Sequence, residues 1–256
     1  MARTEFKLRY FGSILGYLWS LMRPLLFFGI LFFFFTKVVR LGQGVPHYGV
    51  YLLMGIVLWN YVAEATGQAV TCLVTREALL RKVRFPRMVV PMSVSLTATF
   101  NLAMNSIAVV AFALIDGVVP SIKWLEMIPI ALGFVILATG VGMLLSALYV
   151  RFRDVAPIWE VTLLAWFYVS PIMFPISSIS KRFGPALQHV ALLNPVATLL
   201  TQAGHAFIDH DPKAFPSAVS AGGVVPVTLA LALIPSLFAF GWWFFTREAP
   251  RVAEEL

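Results

Sequence analysis

Glu64 is the one acid placed well inside an apolar stretch of this chain. Holding a charge at such a position in hydrocarbon costs at least about 2.5–3.5 kcal/mol, so a carboxylate there marks a pathway or packs against a neighbouring helix. It lacks a relay partner in its own stretch, which argues against a proton-driven carrier. A second pattern lies further on. Ser93, Thr97, Asn101 and Asn105 recur every fourth residue and fall on one face of a helix. That stripe must face protein or water. It serves equally as a channel wall or as a source of helix–helix hydrogen bonds. Trp166, Phe167 and Tyr168 are expected near the middle of another apolar stretch, where they could stack on sugar rings or simply pack. The usual catalytic signatures are missing: no G-x-x-x-x-G-K-[ST] loop, no H-E-x-x-H and no G-x-S-x-G. His47, His189, His205 and His210 carry no metal-ligand spacing. A single cysteine, Cys72, excludes a disulfide framework and any cysteine-based metal site.

The segment 75–87, TREALLRKVRFPR, is the most informative. Residues 76–84 favour helix, Glu77 and Arg81 form an i,i+4 pair, and Pro86 ends the helix near Phe85. Leu79, Leu80 and Val83 then stand as apolar knobs among the cations Arg81, Lys82, Arg84 and Arg87. Such a helix has nothing of its own to pack on. It is expected to seat in a partner's groove, or to lie on lipid headgroups. Arg151, Phe152, Arg153 and Asp154 form a short segment that could be a second contact.

These residues must be positioned by membrane helices. Of 256 residues, 60% are hydrophobic and 12% charged, against about 45–50% and 25% in soluble domains. Mean hydropathy is +0.86. A crossing takes roughly 20 residues. Stretches that satisfy this, or nearly so, run over 24–39, 50–74, 88–115, 127–150, 157–174 and 224–246. The region 183–208 is uncharged, but Pro185 and Pro195 divide it into pieces of re-entrant length, read as two short helices. In residues 1–22, Phe6, Tyr10, Ile14 and Leu18 recur every fourth residue beside Arg3 and Lys7, the pattern of an amphipathic interface helix rather than a cleaved signal. Gly12 and Gly16 would let another helix approach it. The net charge of +7 reads as a topology signal rather than nucleic-acid binding. Basic residues collect in 1–23, 75–87, 151–154 and 247–251, while Lys37, Arg40, Lys123, Lys181, Arg182 and Lys213 fall in the alternate segments. The bias predicts both termini inside. The fold class is therefore all-α integral membrane: six spans, an interface helix, a cytoplasmic loop helix and two short re-entrant helices.

At several of these places the chain resembles the permease subunits of type-2 ABC exporters of lipid-linked polysaccharide, the O-antigen, teichoic acid and capsule group. The resemblance covers nearly the whole chain. It rests on LGYLW at 15–19 with RPL at 23–25, LRKVRFP at 80–86, ALYVRFRD at 147–154, FYVSPIMFP at 167–175 and LNP at 193–195. It implies one transmembrane domain over 1–256 that pairs with a second copy of itself in a bacterial cytoplasmic membrane. It implies a separate ATPase subunit that binds ATP and magnesium, with no cofactor on this chain. Glu77, Leu79, Leu80, Arg81, Val83, Arg84, Phe85 and Arg87 would form the coupling helix, with Arg151, Arg153 and Asp154 nearby. The cargo would be a glycan on undecaprenyl diphosphate, entering from the inner leaflet among membrane lipids. Arg9 and Arg23 are the candidate diphosphate contacts, because cations at headgroup depth attract phosphate. Glu64, Asn101, Asn105, Trp166, Phe167 and Tyr168 are the candidate channel lining. Two other readings remain open: an ABC exporter permease for a drug or lipid, and a membrane enzyme or scaffold without transport.

Overall fold

The computed structural model describes residues 18–40, 45–77, 86–208 and 215–248. The amphipathic segment before Leu18, the loop residues Leu79, Leu80, Arg81, Val83, Arg84 and Phe85, and Arg9 lie outside them. The described residues are helical and contain no strand. Helix α1 spans Leu18–Phe33 and runs into a π turn, Phe34–Val38. Then follow α2 (Tyr48–Thr75), α3 (Val89–Ile115), a 3₁₀ turn (Ile122–Glu126), α4 (Met127–Arg151) and α5 (Val155–Val169). Short helices α6 (Ile176–Phe183), α7 (Pro185–Ala191), α8 (Pro195–Phe207) and α9 (Ala218–Gly222) precede the long α10 (Val224–Glu248). Among the described residues, five segments are long and apolar enough to cross a membrane: Leu21–Val38, Tyr48–Thr75, Val89–Ile115, Ile122–Arg151 and Val224–Glu248. The chain is a multi-pass membrane protein.

Helix α2 is the axis of the fold. Its first half is apolar around its whole circumference, as a helix enclosed by others must be, and Val50, Leu52, Leu53, Ile56 and Val62 are fully buried. Helices α1, α3 and α10 bury one face each and expose apolar residues such as Ile30, Ile107 and Val225 on the other. Lipid, not water, is the solvent for those faces.

Glycine sets the closest approaches, as small residues do between membrane helices. Gly140 of α4 meets the backbone of α10: a Cβ added there would lie 2.5 Å from Phe238 Cα. A Cβ on Gly241 would sit 3.0 Å from the Gly140 carbonyl carbon. Seven residues earlier on both helices, Gly133 lies beside Ile234. The equal step means that α4 and α10 run in the same direction. Two residues beyond Gly140, Gly142 is pressed against Ala69 of α2. Hydroxyls add a buried thread through three helices. Thr139 donates to its own helix at Val135 O, so Ser95 donates to Thr139 and Tyr61 donates to Ser95.

One expectation changes here. The fifth apolar stretch, expected over 157–174, is helical only over Val155–Val169, roughly 22 Å at the standard rise. Pro171 disfavours a helical Ser170, whose ψ of 143° is extended. Trp166, Phe167 and Tyr168 therefore stand in the last turn, not the middle. The aromatic cluster closing α10 is divided. Trp242 and Trp243 are exposed, whereas Phe245 is buried among Leu73, Val94 and Met143. In the proline-divided region, α7 and α8 begin at Pro185 and Pro195, and α6 precedes them. Proline suits a first turn because its missing N–H has no helical partner there.

Candidate functional site

Glu64 is not alone. Its Oε1 accepts from Asn101 Nδ2 of α3 at 2.8 Å and from Gln68 Nε2, one turn along α2, at 3.1 Å. Two amide donors thus stabilise the carboxylate. Pro24, Asn60, Tyr61 and Asn105 complete a cleft of about 20 Å³ around the pair, room for a single water. Asn105 donates to Asn101 O, and Ser93 and Thr97 bond to carbonyls of their own helix. The four-residue stripe thus reaches another helix through Asn101. Ser95, off the stripe, carries the hydroxyl link to α2 and α4. Small hydroxyls at helix interiors find the preceding turn first.

The shared bond gives a prediction. Glu64→Leu leaves two amides without their acceptor, and Asn101→Leu removes one donor from the carboxylate. Either alone is expected to lower stability by about 1–2 kcal/mol. The double variant is expected to lose less than the sum, because both changes remove one interaction. Thermal unfolding in detergent of the four proteins reads this out; strict additivity would refute the coupling.

The aromatic group at the end of α5 is largely packed. Trp166 lies edge-on to Trp59 and Trp159, and Phe167 is buried against Trp59 and Phe27. Tyr168 alone is turned outward, at 65% exposure. Trp166 Nε1 donates to Asn194 Oδ1, which also caps Val196 N at the start of α8; Asn194 Nδ2 donates to Ser170 Oγ. Two turns earlier on the same face of α5, Trp159 Nε1 bonds Thr66 of α2.

Sequence reasoning passed over Glu160. It stands on the exposed face of α5, between Ile158 and Val161. Six residues after Asp154, it reads as a flank to a stretch expected to run to residue 174. Once the helix ends at Val169, the carboxylate sits well inside it. The exposed Arg23 and the buried Pro24 lie in the early turns of α1, with Pro24 against the Glu64 cleft.

The loop residues gather at one end. Thr75 ends α2, Glu77 and Arg87 flank the undescribed residues 78–85, and α3 begins at Val89. Arg151 and Arg153 lie over the rings of Phe152 and Tyr149, with Asp154 exposed beside them. Arg247 of α10 lies over Trp243. At the opposite end His47 Nδ1 meets Asp116 Oδ2 at 2.7 Å. Among the described residues no three His, Cys, Asp or Glu side chains gather as a metal site.

Comparison with known proteins adds to this geometry. A family pattern described as ABC-2 type transporter matches residues 1–203. A protein of Klebsiella pneumoniae named O-antigen export system permease protein RfbA is 32% identical over 201 residues, which is 78% of this chain and 75% of the relative. Its namesake in Myxococcus xanthus is 30% identical over 241 residues, 92% of this chain and 90% of the relative.

Proposed function

The chain belongs to the ABC-2 type transporter family, and from that premise we propose that it is the non-catalytic permease of an ATP-driven polysaccharide exporter. The observation that carries this is likeness along 92% of the chain to a permease named for O-antigen export. The cargo is a glycan carried on undecaprenyl diphosphate, and the working unit is two copies of this chain with two ATPase subunits. ATP and magnesium belong to those subunits. The chain lies in the cytoplasmic membrane with both termini inside. The cations at the end of the bundle that holds Arg87, Arg151, Arg153 and Arg247 favour that orientation.

In this reading the loop helix 75–87 is the coupling element. Leu79, Leu80, Val83 and Phe85 seat in the ATPase groove while Glu77, Arg81, Arg84 and Arg87 set its register, and Arg151, Arg153 and Asp154 form the neighbouring contact. Arg9 and Arg23 meet the diphosphate at headgroup depth. Glu64, Asn101 and Asn105 supply the polar wall of the path, and Tyr168, with Trp166 and Phe167 behind it, meets sugar rings. The short α5 completes a sixth crossing together with the turn residues 170–175 that follow it.

The test separates coupling from folding. Leu80→Asp and Phe85→Asp are expected to abolish co-purification of the ATPase and surface display of the glycan, with the permease still in the membrane at normal amount. Co-purification and display at wild-type levels in both variants would overturn the coupling role. Unchanged surface glycan on deletion of the chain would overturn the cargo.

A further inference from the structure

On the side away from α5, helices α2, α3 and α4 enclose a groove of about 270 Å³. Met54, Leu58, Val110, Met127, Ala131 and Phe207 line it, and Ala103 stands exposed at its rim. Thr99 and Ser106 reach it too, but each hydroxyl donates to its own helix, at Ser95 O and Leu102 O. The lining therefore offers hydrocarbon and no open donor. A site of this kind does not hold water. It opens between membrane helices, so an acyl chain can enter it sideways.

One end of the groove has a charged neighbour. Met127 begins α4, and the preceding 3₁₀ turn carries Lys123 and Trp124. Trp124 stacks on Phe207 at 4.4 Å and donates to its carbonyl, which fixes that turn against the groove wall. Lys123 Nζ lies 3.5 Å from His205 Nε2. His205 Nδ1 faces the Phe215 carbonyl at 2.8 Å and must donate to it, so Nε2 accepts from Lys123. Glu126, the nearest acid along the turn, takes the Gln202 amide at 2.7 Å. Among the described residues no carboxylate lies within salt-bridge distance of Lys123. A cation beside an imidazole, next to a Trp at the mouth of an apolar groove, is the pattern that suits a phosphate-headed lipid.

We propose that this groove is a binding site for one anionic phospholipid of the surrounding bilayer, its phosphate at Lys123, which His205 holds in place, and one acyl chain between α2, α3 and α4. The bound lipid fills the gap between α3 and α4 and holds α8 and the 3₁₀ turn against them. It is distinct from any transported lipid-linked glycan, and it rests only on the chain being embedded in a membrane.

The test uses the full chain purified in mild detergent. Phosphatidylglycerol, phosphatidylcholine and undecaprenyl phosphate are offered in equal amounts, and retained lipid is measured by native mass spectrometry alongside the thermal midpoint. Wild type is expected to retain one phosphatidylglycerol per chain and to gain stability from it. Lys123→Gln is expected to weaken retention about fivefold, the loss of one headgroup charge contact. Ala131→Phe is expected to abolish it by filling the groove. Should that variant fold poorly, Ala103→Phe at the exposed rim blocks the same path without entering the core. Retention of phosphatidylcholine equal to phosphatidylglycerol would overturn the headgroup assignment. Preference for undecaprenyl phosphate would overturn the commitment to a bilayer lipid. Wild-type retention in both Lys123→Gln and Ala103→Phe would overturn the site.

Discussion

Gly241→Val is expected to collapse the yield of monodisperse protein and to lower the thermal midpoint by more than any other single change considered for this chain. A Cβ at Gly241 would stand 3.0 Å from the Gly140 carbonyl carbon and closer still to its oxygen. The obstruction is backbone, so no rotamer relieves it. The helices must separate, and the cost exceeds the about 1–3 kcal/mol of ordinary overpacking. Separation also undoes the contact of Gly140 with Phe238 and exposes the side of the cluster where Phe245 packs with Leu73 and Met143. Gly241→Ala is expected to show the same defect in milder form, because the first added carbon already collides. Two controls calibrate the result. A Cβ on Gly133 would meet the end of the Leu199 side chain at 3.1 Å, which can turn aside. A Cβ on Gly67 would meet nothing within 4 Å, and Gly67→Ala should gain up to about 1 kcal/mol from helix propensity. Size-exclusion profiles and thermal unfolding of the four variants check the order. Normal behaviour of Gly241→Val would mean that the α4–α10 seam is not as close as the structure has it.

That seam shows what the sequence could reveal and what it could not. The uncharged stretches at 88–115 and 127–150 coincide with Val89–Ile115 and Met127–Arg151 almost to the residue, because charges and turns bound them sharply. The first span was expected from Pro24, yet the described helix is already continuous through that proline from Leu18. A membrane helix accommodates an early proline, so proline is a poor boundary mark there. Glycines at 133, 140 and 241 are visible in the sequence, but their pairing needs the direction and register of two helices 100 residues apart. Glu64 illustrates the same limit. As a single carboxylate it reads as lacking a partner, and Asn101 reads as part of a stripe. Their bond depends on the crossing of α2 and α3, which periodicity does not encode. The end of α5 was missed for a local reason: apolar composition continues to Phe174, and the break comes from Pro171 acting on the residue before it.

Asn194→Leu carries the second large effect, and it tests why an asparagine precedes Pro195. One side chain serves three masters: its Oδ1 accepts from Trp166 Nε1 and from Val196 N, each at 3.0 Å, and its Nδ2 donates to Ser170 Oγ. It caps α8 and ties that helix to the end of α5, whose own helical bonds have just run out. Leucine removes the cap, worth about 1 kcal/mol. It also leaves the half-buried indole N–H without an acceptor, about 1–2 kcal/mol more. The sum corresponds to a fall of roughly 5–10 °C in the midpoint for a chain of this size. Asn194→Asp keeps the oxygen acceptor and places a negative charge at a helix N-terminus, which is favourable. It should therefore retain most of the stability while losing only the bond to Ser170. Thermal unfolding followed by tryptophan fluorescence separates the cases, because Trp166 reports its own environment. If leucine and aspartate prove equally harmful, the acceptor oxygen is not what joins α5 to α8. If leucine is harmless, the clamp itself is refuted, and the placing of Tyr168 at the end of α5 must come from the aromatic packing of Trp59, Trp159 and Trp166 alone.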